Sequence, residues 1–323
     1  MIGGAIVLMI GLPGKSYRGP LPPLTERERA LREGLHQDIR RLAGEIGERN
    51  LFRYERLAAA ADFLETSFAA AGYQARRQGY DVGGKACFNI EVEIAGADRP
   101  EEIVVVGAHY DSVIGSPGAN DNATGAAAVL ALARAFAGKK TSRTVRFVAF
   151  VNEEPPLFLT AEMGSRLYAR RARQRNENIV AMLSLETIGY YSDAAGSQKY
   201  LFPLSLFYPS RGDFIGFVGN LASRRLLREV VGSFRDHARF PSEGAALPEG
   251  LPGVGWSDHI SFWQEGYSAL MVTDTAFFRY PFYHTADDTP DRVDYDRLAR
   301  VVAGLESVMA DLVGARKDEK ERA

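Results

Sequence analysis

Strand-like and helix-like segments alternate along most of this chain, and that order restricts its fold more than any other feature. Runs with the composition of strands cover residues 73–80, 87–94, 103–108, 145–151 and 179–185. Apolar residues at helical spacing occupy residues 25–46, 57–72, 123–136, 160–173 and 293–313. The alternation predicts an α/β fold, a single three-layer domain in which helices cover both faces of a mixed, mostly parallel, twisted sheet.

Local signals support these elements. Thr25 and Glu28 have the spacing of a capping box at the start of the first helix, and Gly72 is suited to end the second. Residues 103–106, IVVV, are continuously apolar, as in a strand that is buried on both faces of a sheet. We see no internal repeat and no second linker, so residues 25–316 are predicted to form one domain.

The two ends of the chain differ from this domain. Residues 1–12, MIGGAIVLMIGL, are almost wholly apolar, but spanning a bilayer takes about 20 apolar residues. Because an exposed apolar run is costly in water, we interpret this run as the remnant of a leader or membrane anchor rather than a frayed tail. Residues 13–24 are predicted to be a linker rich in proline and glycine, and residues 317–323 a charged tail. Export or membrane attachment is therefore favoured over a cytoplasmic location.

Composition excludes one class of partner. The chain has 39 basic and 41 acidic residues and a net charge of -2, so it has no overall positive field to hold a nucleic acid. Its single cysteine, Cys87, lies in an apolar run. We interpret this residue as a buried structural thiol rather than a nucleophile.

Side chains that can bind metal ions or move protons follow the predicted central strands. His109 and Asp111 follow the strand at 103–108, Glu153 and Glu154 the strand at 145–151, and Glu186 the strand at 179–185. Open α/β sheets bind their ligands at this carboxyl edge. Three strands thus bring carboxylates to one edge, where the like charges repel one another unless cations neutralise them.

Some of the acidic candidates also have a simpler interpretation. Asp121, at the start of a predicted helix, has the position of a helix N-cap, and Glu153 and Glu154 have the composition of a solvated loop pair. Adjacent side chains of an extended segment point to opposite sides, so one glutamate can bind a metal while the other accepts a proton. Asp111 can hold the second ring N–H of His109.

The five histidines divide into two groups. His36 lies within the first amphipathic helix and His237 in a polar stretch, so both are predicted to be surface residues. His259 and His284 lie in the segments SDHISFW and FYHTADD, and with His109 they are the candidate metal ligands.

Six segments, taken in order, resemble a known family. They are GAHYDSV, GANDNATG, FVNEEP, SLETIGYY, SDHISFW and FYHTADD. The ordered set resembles the co-catalytic di-zinc aminopeptidases, which are zinc exopeptidases related to glutaminyl cyclases and glutamate carboxypeptidases, and the resemblance covers residues 30–312. It implies a zinc peptidase domain that hydrolyses N-terminal residues from peptide or aminoacyl substrates and holds two zinc ions.

The resemblance also implies a set of metal ligands. His109 and Glu186 would bind one zinc ion, Glu154 and His284 would bind the other, and Asp121 would bridge the two. A cis peptide bond is expected after the bridging aspartate, between residues 121 and 122. At position 186 the family more often has aspartate, and glutamate is one methylene longer, so the metal or the strand end must sit slightly differently.

Roles beside the metals follow from the same resemblance. Glu153 corresponds to the general base that accepts a proton from a water between the two metals, and Asp111 to the carboxylate that holds the first histidine. Asp258 and His259 would lie beside the site without binding metal. Some members also have an oxyanion-stabilising tyrosine just before the SDH segment, which this chain lacks. The candidate substitutes are Tyr190, Tyr267, Tyr280 and Tyr283.

The substrate pocket and the reaction leave alternatives open. Tyr190, Tyr191, Phe278 and Tyr283 are interpreted as pocket walls, although aromatic residues at such positions are often part of the core. A glutaminyl-cyclase-like acyltransferase with one zinc ion is the closest alternative function. A non-catalytic binding domain of the same fold is the other, and it would be expected to have lost metal ligands that this chain retains.

Overall fold

One eight-stranded mixed sheet organises the chain in the computed structural model, which describes residues 9–315. The strands are β1 (Arg76–Val82), β2 (Lys85–Ile94), β3 (Arg99–His109), β4 (Arg143–Phe150), β5 (Asn178–Glu186), β6 (Ile215–Asn220), β7 (Ser242–Leu247) and β8 (Ala269–Thr273). Their order across the sheet is β1-β2-β4-β3-β5-β8-β6-β7. The predicted α/β fold is confirmed.

Four neighbouring strands form the parallel centre of the sheet. Strands β4, β3, β5 and β8 run in the same direction, whereas β2 and β6 pair antiparallel to them on either side. The carboxyl ends of the four parallel strands therefore lie next to one another at one edge. The strand ends and loops at this edge carry the candidate site residues.

Helices cover both faces of the sheet. They are α1 (Glu26–Ile39), α2 (Tyr54–Ala70), α3 (Thr124–Phe136), α4 (Gly164–Gln174), α5 (Arg224–His237), α6 (His259–Gln264) and α7 (Tyr295–Val313). Helices α1, α2, α3, α5 and α7 pack in the larger apolar core on one face, and α4 and α6 pack on the other. Along β3, Val104 and Val106 face the larger core, and Ile103 and Val105 face the smaller one. Strand β3 is therefore buried on both faces, as predicted.

The predicted helix signals are confirmed. The Thr25 hydroxyl accepts the backbone N–H of Glu28, whose carboxylate in turn accepts the backbone N–H of Thr25. Gly72 follows α2 with a φ of 90°, a left-handed conformation that favours glycine. Asp294 caps α7 by accepting the backbone N–H of Arg297, so this helix starts slightly later than predicted.

The structure differs from the predicted elements at several places. Strand β1 begins at Arg76 rather than residue 73. Helix α4 begins at Gly164 rather than residue 160, because residues 154–162 form turns and bends. Strands β6, β7 and β8 are absent from the prediction. Their sequences, IGFVGN, SEGAAL and ALMVT, are only five or six residues long, so neither alternation nor a long apolar run distinguishes them. Helix α5 was also not predicted, although its apolar residues have helical spacing.

The segment predicted to be a linker lies against the domain. The backbone carbonyl of Pro13 accepts a hydrogen bond from Arg235 of α5, and that of Pro22 accepts one from Arg300 of α7. A proline-rich backbone lacks donors but keeps its acceptors, which arginine side chains can satisfy.

The ends of the chain carry predictions that the structure leaves open. Residues 1–8 and 316–323 lie outside the described residues, and with them most of the predicted leader or anchor and the predicted charged tail. Within residues 9–315, no helix combines the length and the apolarity needed to cross a membrane.

Cys87, His237 and His36, which were predicted to have no part in the functional site, lie away from the carboxyl ends of the central strands. Cys87 is buried in β2, as predicted. His237 is exposed at the end of α5, and its Nε2 lies 3.1 Å from a carboxylate oxygen of Asp311. His36 is only partly exposed, because it packs edge-on against the ring of Tyr295.

Two glycines within helices test the packing of α5 against α7. A Cβ at Gly304, in α7, would lie 2.5 Å from Cε2 of Phe234 in α5, whereas a Cβ at Gly34, in α1, would meet no atom within 4 Å. Gly34→Ala should therefore raise the free energy of unfolding by about 0.5–1 kcal/mol through helix propensity. Gly304→Ala should lower it by about 1–3 kcal/mol, because the two helices must separate. Denaturant unfolding measures both changes, and equal effects would contradict the close contact.

Candidate metal centre

The candidate site lies at the carboxyl edge of the parallel strands. His109 is the last residue of β3, and Glu186 is the last residue of the neighbouring β5. Glu154 follows β4, Asp121 precedes α3, and His284 lies in the loop between β8 and α7. The side chain of His284 is 30% exposed, whereas the other four residues are buried.

The donor atoms form two sets that share Asp121. Nε2 of His109 lies 3.2 Å from Oε2 of Glu186 and 3.3 Å from Oδ1 of Asp121. Nε2 of His284 lies 3.1 Å from Oδ2 of Asp121 and 3.3 Å from Oε2 of Glu154. The two oxygens of one carboxylate thus face different histidines. The structure brings together all five candidate metal ligands.

These separations fit metal coordination. Donors about 2.0–2.2 Å from a tetrahedral zinc ion lie about 3.3–3.6 Å from one another. Nε2 of His109 and Oδ1 of Asp121 are buried, and neither forms a hydrogen bond with any atom of residues 9–315. Donor atoms of His109, Asp121 and Glu154 all lie within 4.8 Å of one another. The donor set therefore fits a divalent ion on each side of Asp121.

The two histidines hold protons strongly when no cation is bound. Burial alone would lower the pKa of His109, but nearby carboxylates, Glu186 first among them, hold it well above its usual value. Burial also opposes the charge of His284, yet Asp121 and Glu154 raise its pKa to about 10. A divalent cation replaces these protons as the source of positive charge, so metal binding must release them.

The carboxylates respond differently to their burial. Burial raises the pKa of Glu153 well above its usual value and that of Glu154 to about 7. Burial would also raise the pKa of Asp121, but the two neighbouring imidazoles lower it. Asp121 is therefore the carboxylate that stays ionised between the histidines, as a bridging ligand must.

Asp111 lies between His109 and the segment that carries Glu153 and Glu154. Its Oδ1 lies 3.5 Å from Nδ1 of His109, on the side of the ring away from the candidate metal position. The same carboxylate accepts the backbone N–H groups of Glu153 and Glu154. Asp111 thus positions the segment that carries both glutamates.

The adjacent glutamates point to different places. Oε1 of Glu154 accepts the backbone N–H of Val113, and its Oε2 faces His284. Oε2 of Glu153 lies 3.9 Å from Nε2 of His109, farther away than the donors of either set. One glutamate therefore lies among the candidate ligands and the other beside them.

Comparison with known proteins decides the family. Residues 89–309, more than half of the chain, match the family model of peptidase family M28. The chain belongs to peptidase family M28. An uncharacterized protein of Escherichia coli strain K12, YfbL, is 35% identical to this M28 chain over 292 residues, which cover 88% of each. Aminopeptidase YwaD of Bacillus subtilis strain 168 is 28% identical over 242 residues, which cover 71% of this chain and 45% of YwaD.

Solved structures share the fold of this M28 chain. A zinc aminopeptidase of Bacillus subtilis matches with a TM-score of 0.70 at 14% identity, covering 90% of this chain and 96% of that protein. A glutaminyl cyclase of Fimbriiglobus ruber matches with a TM-score of 0.64 at 20% identity, covering 92% and 98%. The family model confirms the predicted peptidase family, and both solved structures share the fold of this chain.

Asp258 and His259 lie behind the donor sets of this M28 member. Asp258 is buried, and within residues 9–315 neither of its carboxylate oxygens has a hydrogen-bond partner. Burial raises its pKa to about 7. His259 faces away from the donors, with Nε2 2.8 Å from the carbonyl oxygen of Val254, and burial lowers its pKa to about 4.

Two aspartates outside the predicted site hold the loop that carries Asp121. Asp288 accepts the backbone N–H groups of Asn120 and Asp121 and the hydroxyl of Tyr280. Asp274 accepts the side-chain amide of Asn120. The peptide bond after Asp121 is cis, as expected. Asp288 is the last residue of the FYHTADD segment, and that position is the sequence signal that could have indicated it.

Arg49 is a buried cation behind the same loop. It is fully buried, and its guanidinium donates to the backbone carbonyls of Tyr110, Pro117 and Gly118. Within residues 9–315 no carboxylate forms an ion pair with it. Burial lowers its pKa to about 10, against the attraction of several site carboxylates, Asp111 first among them. Arg49 therefore both fixes the loop backbone and offsets part of the negative charge. No local pattern in the sequence indicates that this arginine is buried.

A largely apolar cavity borders Glu186. Its volume is about 950 Å³, including the mouth, and Phe278 and Tyr283 are among the residues that line it. Tyr190 and Tyr191 lie elsewhere, which corrects their predicted place in the pocket wall. The Tyr191 hydroxyl donates to a backbone carbonyl within the core, and the ring of Tyr190 packs against Tyr280.

Arg49→Lys tests the role of the buried guanidinium. A lysine ammonium cannot satisfy the separate carbonyls that a planar guanidinium reaches, so the free energy of unfolding should fall by about 2–4 kcal/mol. The matched control is Arg53→Lys, since the Arg53 side chain is 61% exposed and its ion pair is with Glu48. The control should change stability by less than about 0.5 kcal/mol. Denaturant unfolding of the two metal-loaded variants makes the comparison, and similar small losses would show that Arg49 is dispensable.

Proposed function

We propose that this protein is a zinc aminopeptidase that holds two zinc ions, one on each side of Asp121. His109 and Glu186 complete the first set of ligands, and His284 and Glu154 complete the second. The observation that carries this proposal is the shared carboxylate, whose two oxygens lie 3.3 and 3.1 Å from Nε2 of different histidines. The names of relatives support the activity, since Bacillus subtilis YwaD is an aminopeptidase and an Arthroderma otae relative is a probable leucine aminopeptidase.

Glu153 is the proposed general base. Zinc bound at this site supplies a Lewis acid for the scissile carbonyl and lowers the pKa of a coordinated water to about 7. Glu153 accepts the proton of the attacking water, because it lies beside the donor sets rather than within them. The same carboxyl then passes that proton to the leaving amine.

Tyr283 is the proposed donor to the developing oxyanion. Of the candidate tyrosines, Tyr267 donates its hydroxyl to the carbonyl of Glu177 and Tyr280 donates to Asp288. Tyr283 stacks on His284 with ring centroids 3.8 Å apart, and within residues 9–315 its hydroxyl forms no hydrogen bond. Burial and the nearby site carboxylates raise its pKa, which keeps the hydroxyl protonated as a donor.

The apolar cavity is the proposed site for the side chain of the N-terminal residue. It shares Glu186 with the first set of ligands and Tyr283 with the proposed oxyanion site, so it opens next to the reacting carbonyl. Its walls are mostly aromatic and aliphatic, and such walls bind apolar side chains through the hydrophobic effect. The proposed substrates are therefore peptides that begin with a large apolar residue.

A glutaminyl-cyclase-like reaction is the second candidate, because glutaminyl cyclases share the fold. It would use one zinc ion and would leave one of the two donor sets without a function. A non-catalytic binding domain is the third. Every ligand position and Glu153 retain side chains suited to catalysis, which favours an enzyme.

The adjacent glutamates provide a test that separates a base from a ligand. Glu153→Gln should lower kcat by at least about 100-fold and leave the zinc content unchanged, because proton transfer is lost and the ligands are intact. Glu154→Gln should lower the zinc content, because an amide is a weaker ligand than a carboxylate. Hydrolysis of an aminoacyl anilide and elemental analysis measure the two quantities. Wild-type turnover by Glu153→Gln would exclude it as the base.

The reaction itself is tested with three substrates and a chelator. Phenylalanyl anilide should be hydrolysed, whereas its N-acetyl form should not, because acetylation removes the cationic amine that the site carboxylates attract. Chelation should abolish hydrolysis, and added zinc should restore it. Cyclisation of an N-terminal glutamine without anilide hydrolysis would favour the cyclase instead. Neither activity in zinc-loaded protein would favour the binding domain.

A further inference from the structure

The loop between β5 and β6 exposes large apolar side chains beside the cavity. Phe202 is 82% exposed, Leu206 is 69% exposed and Phe207 is 44% exposed, and we call these three residues the loop patch. The neighbouring residues Tyr200, Leu204 and Tyr208 line the cavity. The loop therefore lines the cavity with Tyr200, Leu204 and Tyr208 and exposes the loop patch to solvent.

Exposed apolar surface continues across the cavity mouth. Leu251 is 37% exposed, Trp256 is 47% exposed and Phe277 is 37% exposed, and all three line the cavity. The ring centroids of Trp256 and Phe277 are 5.2 Å apart. Clustered apolar surface of this kind marks contact with another molecule or a membrane, because its exposure to water is costly.

The N-terminal segment reaches the same edge of the sheet. Strand β7 is an edge of the sheet, and the Tyr208 hydroxyl from the patch-bearing loop donates to the carbonyl of Gly244 in this strand. A Cβ at Gly244 would lie 3.2 Å from Cδ1 of Leu12. The hydroxyl of Ser16 accepts the backbone N–H of Ser242, also in β7. The N-terminal segment and the loop thus both contact β7 at this edge, Leu12 from the face of the larger core and Tyr208 from the face of the smaller one.

Exposed basic residues lie in the N-terminal segment and in the part of the loop around the loop patch. The charged residues of 1–25 are Lys15 and Arg18, and those of 196–212 are Lys199 and Arg211. All four are exposed. This local excess contrasts with the net charge of -2 for the whole chain.

Two acidic residues, Glu243 and Asp213, lie close to these four basic residues, and the loop's other aspartate, Asp193, pairs with Arg297 of α7. Glu243 in β7 has Arg235 at 4.0 Å, and Arg18 also stabilises its charge. The surface around the loop patch therefore keeps its positive excess.

We propose that the loop patch and the adjoining N-terminal segment form a surface that binds anionic lipid bilayers. Phe202, Leu206 and Phe207 enter the boundary between headgroups and acyl chains, and the basic residues face the lipid phosphates. A second copy of the chain is a poorer occupant, because a symmetric contact would bring these like charges together. The mouth of the cavity then lies close to the membrane surface. This proposal does not depend on the proposed reaction.

Vesicle flotation with the full chain tests the proposal. Wild-type protein should float with vesicles that contain phosphatidylserine and bind far less to vesicles of phosphatidylcholine alone. The double variant Phe202→Ser with Leu206→Ser should bind the anionic vesicles at least about tenfold more weakly, because two large apolar side chains no longer enter the bilayer. The charge variant Lys199→Glu with Arg211→Glu should lose binding and the sensitivity of binding to salt.

A matched control has two apolar side chains at the opposite edge of the sheet. Phe52 is 64% exposed and Leu159 is 50% exposed. Both lie near β1 and β2, because the carbonyl of Leu51 accepts a hydrogen bond from Lys85 in β2 and the carbonyl of Glu162 accepts one from Tyr80 in β1. Phe52→Ser with Leu159→Ser should bind the anionic vesicles as wild type does.

Three outcomes would overturn the proposal. Loop-patch and charge variants that bind as well as wild type would assign any membrane binding to residues 1–12 alone. A wild-type dimer that the loop-patch variant converts to monomer, with unchanged vesicle binding, would identify a second copy as the occupant. A higher KM for apolar peptides with unchanged vesicle binding would identify the patch as part of the substrate site.

Discussion

Repulsion among buried carboxylates is the constraint on which the rest of this site depends. Asp121, Glu153, Glu154 and Glu186 are each less than 10% exposed and gather around two imidazoles at one edge of the sheet. Charges of one sign cannot share so small and dry a volume unless protons or cations neutralise them. Binding of divalent cations and stability of the folded site are therefore linked, and a bound metal stabilises the loops that supply its ligands.

The scaffold holds this cluster mainly through the backbone of the loops. The parallel strands β3 and β5 are neighbours in the sheet, so their last residues, His109 and Glu186, lie side by side although about 70 residues separate the two strands along the chain. Asp111 and Asp288 accept backbone N–H groups of the glutamate segment and of the bridging loop, and Arg49 donates to backbone carbonyls behind them. These hydrogen bonds fix the backbone conformation of the loops, and the backbone conformation orients the candidate ligand side chains towards one another.

The sequence predicts what has a local pattern and misses what depends on distant contacts. The central strands are apolar runs, and the residues at their ends follow directly, so His109, Glu154 and Glu186 could be indicated from position alone. Asp121 and His284 reach the site through loops. The residues alone left Asp121 with the interpretation of a helix N-cap and did not separate His284 from His259, and the resemblance to a family resolved both. Arg49 could not be predicted, because a buried arginine is distinguished by the carbonyls that surround it in space. Tyr191 is an aromatic residue next to a ligand segment, as pocket-lining residues often are, but tertiary packing places it in the core.

Anomalous X-ray diffraction from zinc-loaded crystals, recorded on both sides of the zinc absorption edge, tests the central claim most directly. The account predicts two peaks about 3.5–4 Å apart, one beside His109 and Glu186 and the other beside His284 and Glu154, with the Asp121 carboxylate between them. One peak alone would remove the bridging role of Asp121. Peaks at other residues, or none, would contradict the proposed two-zinc site.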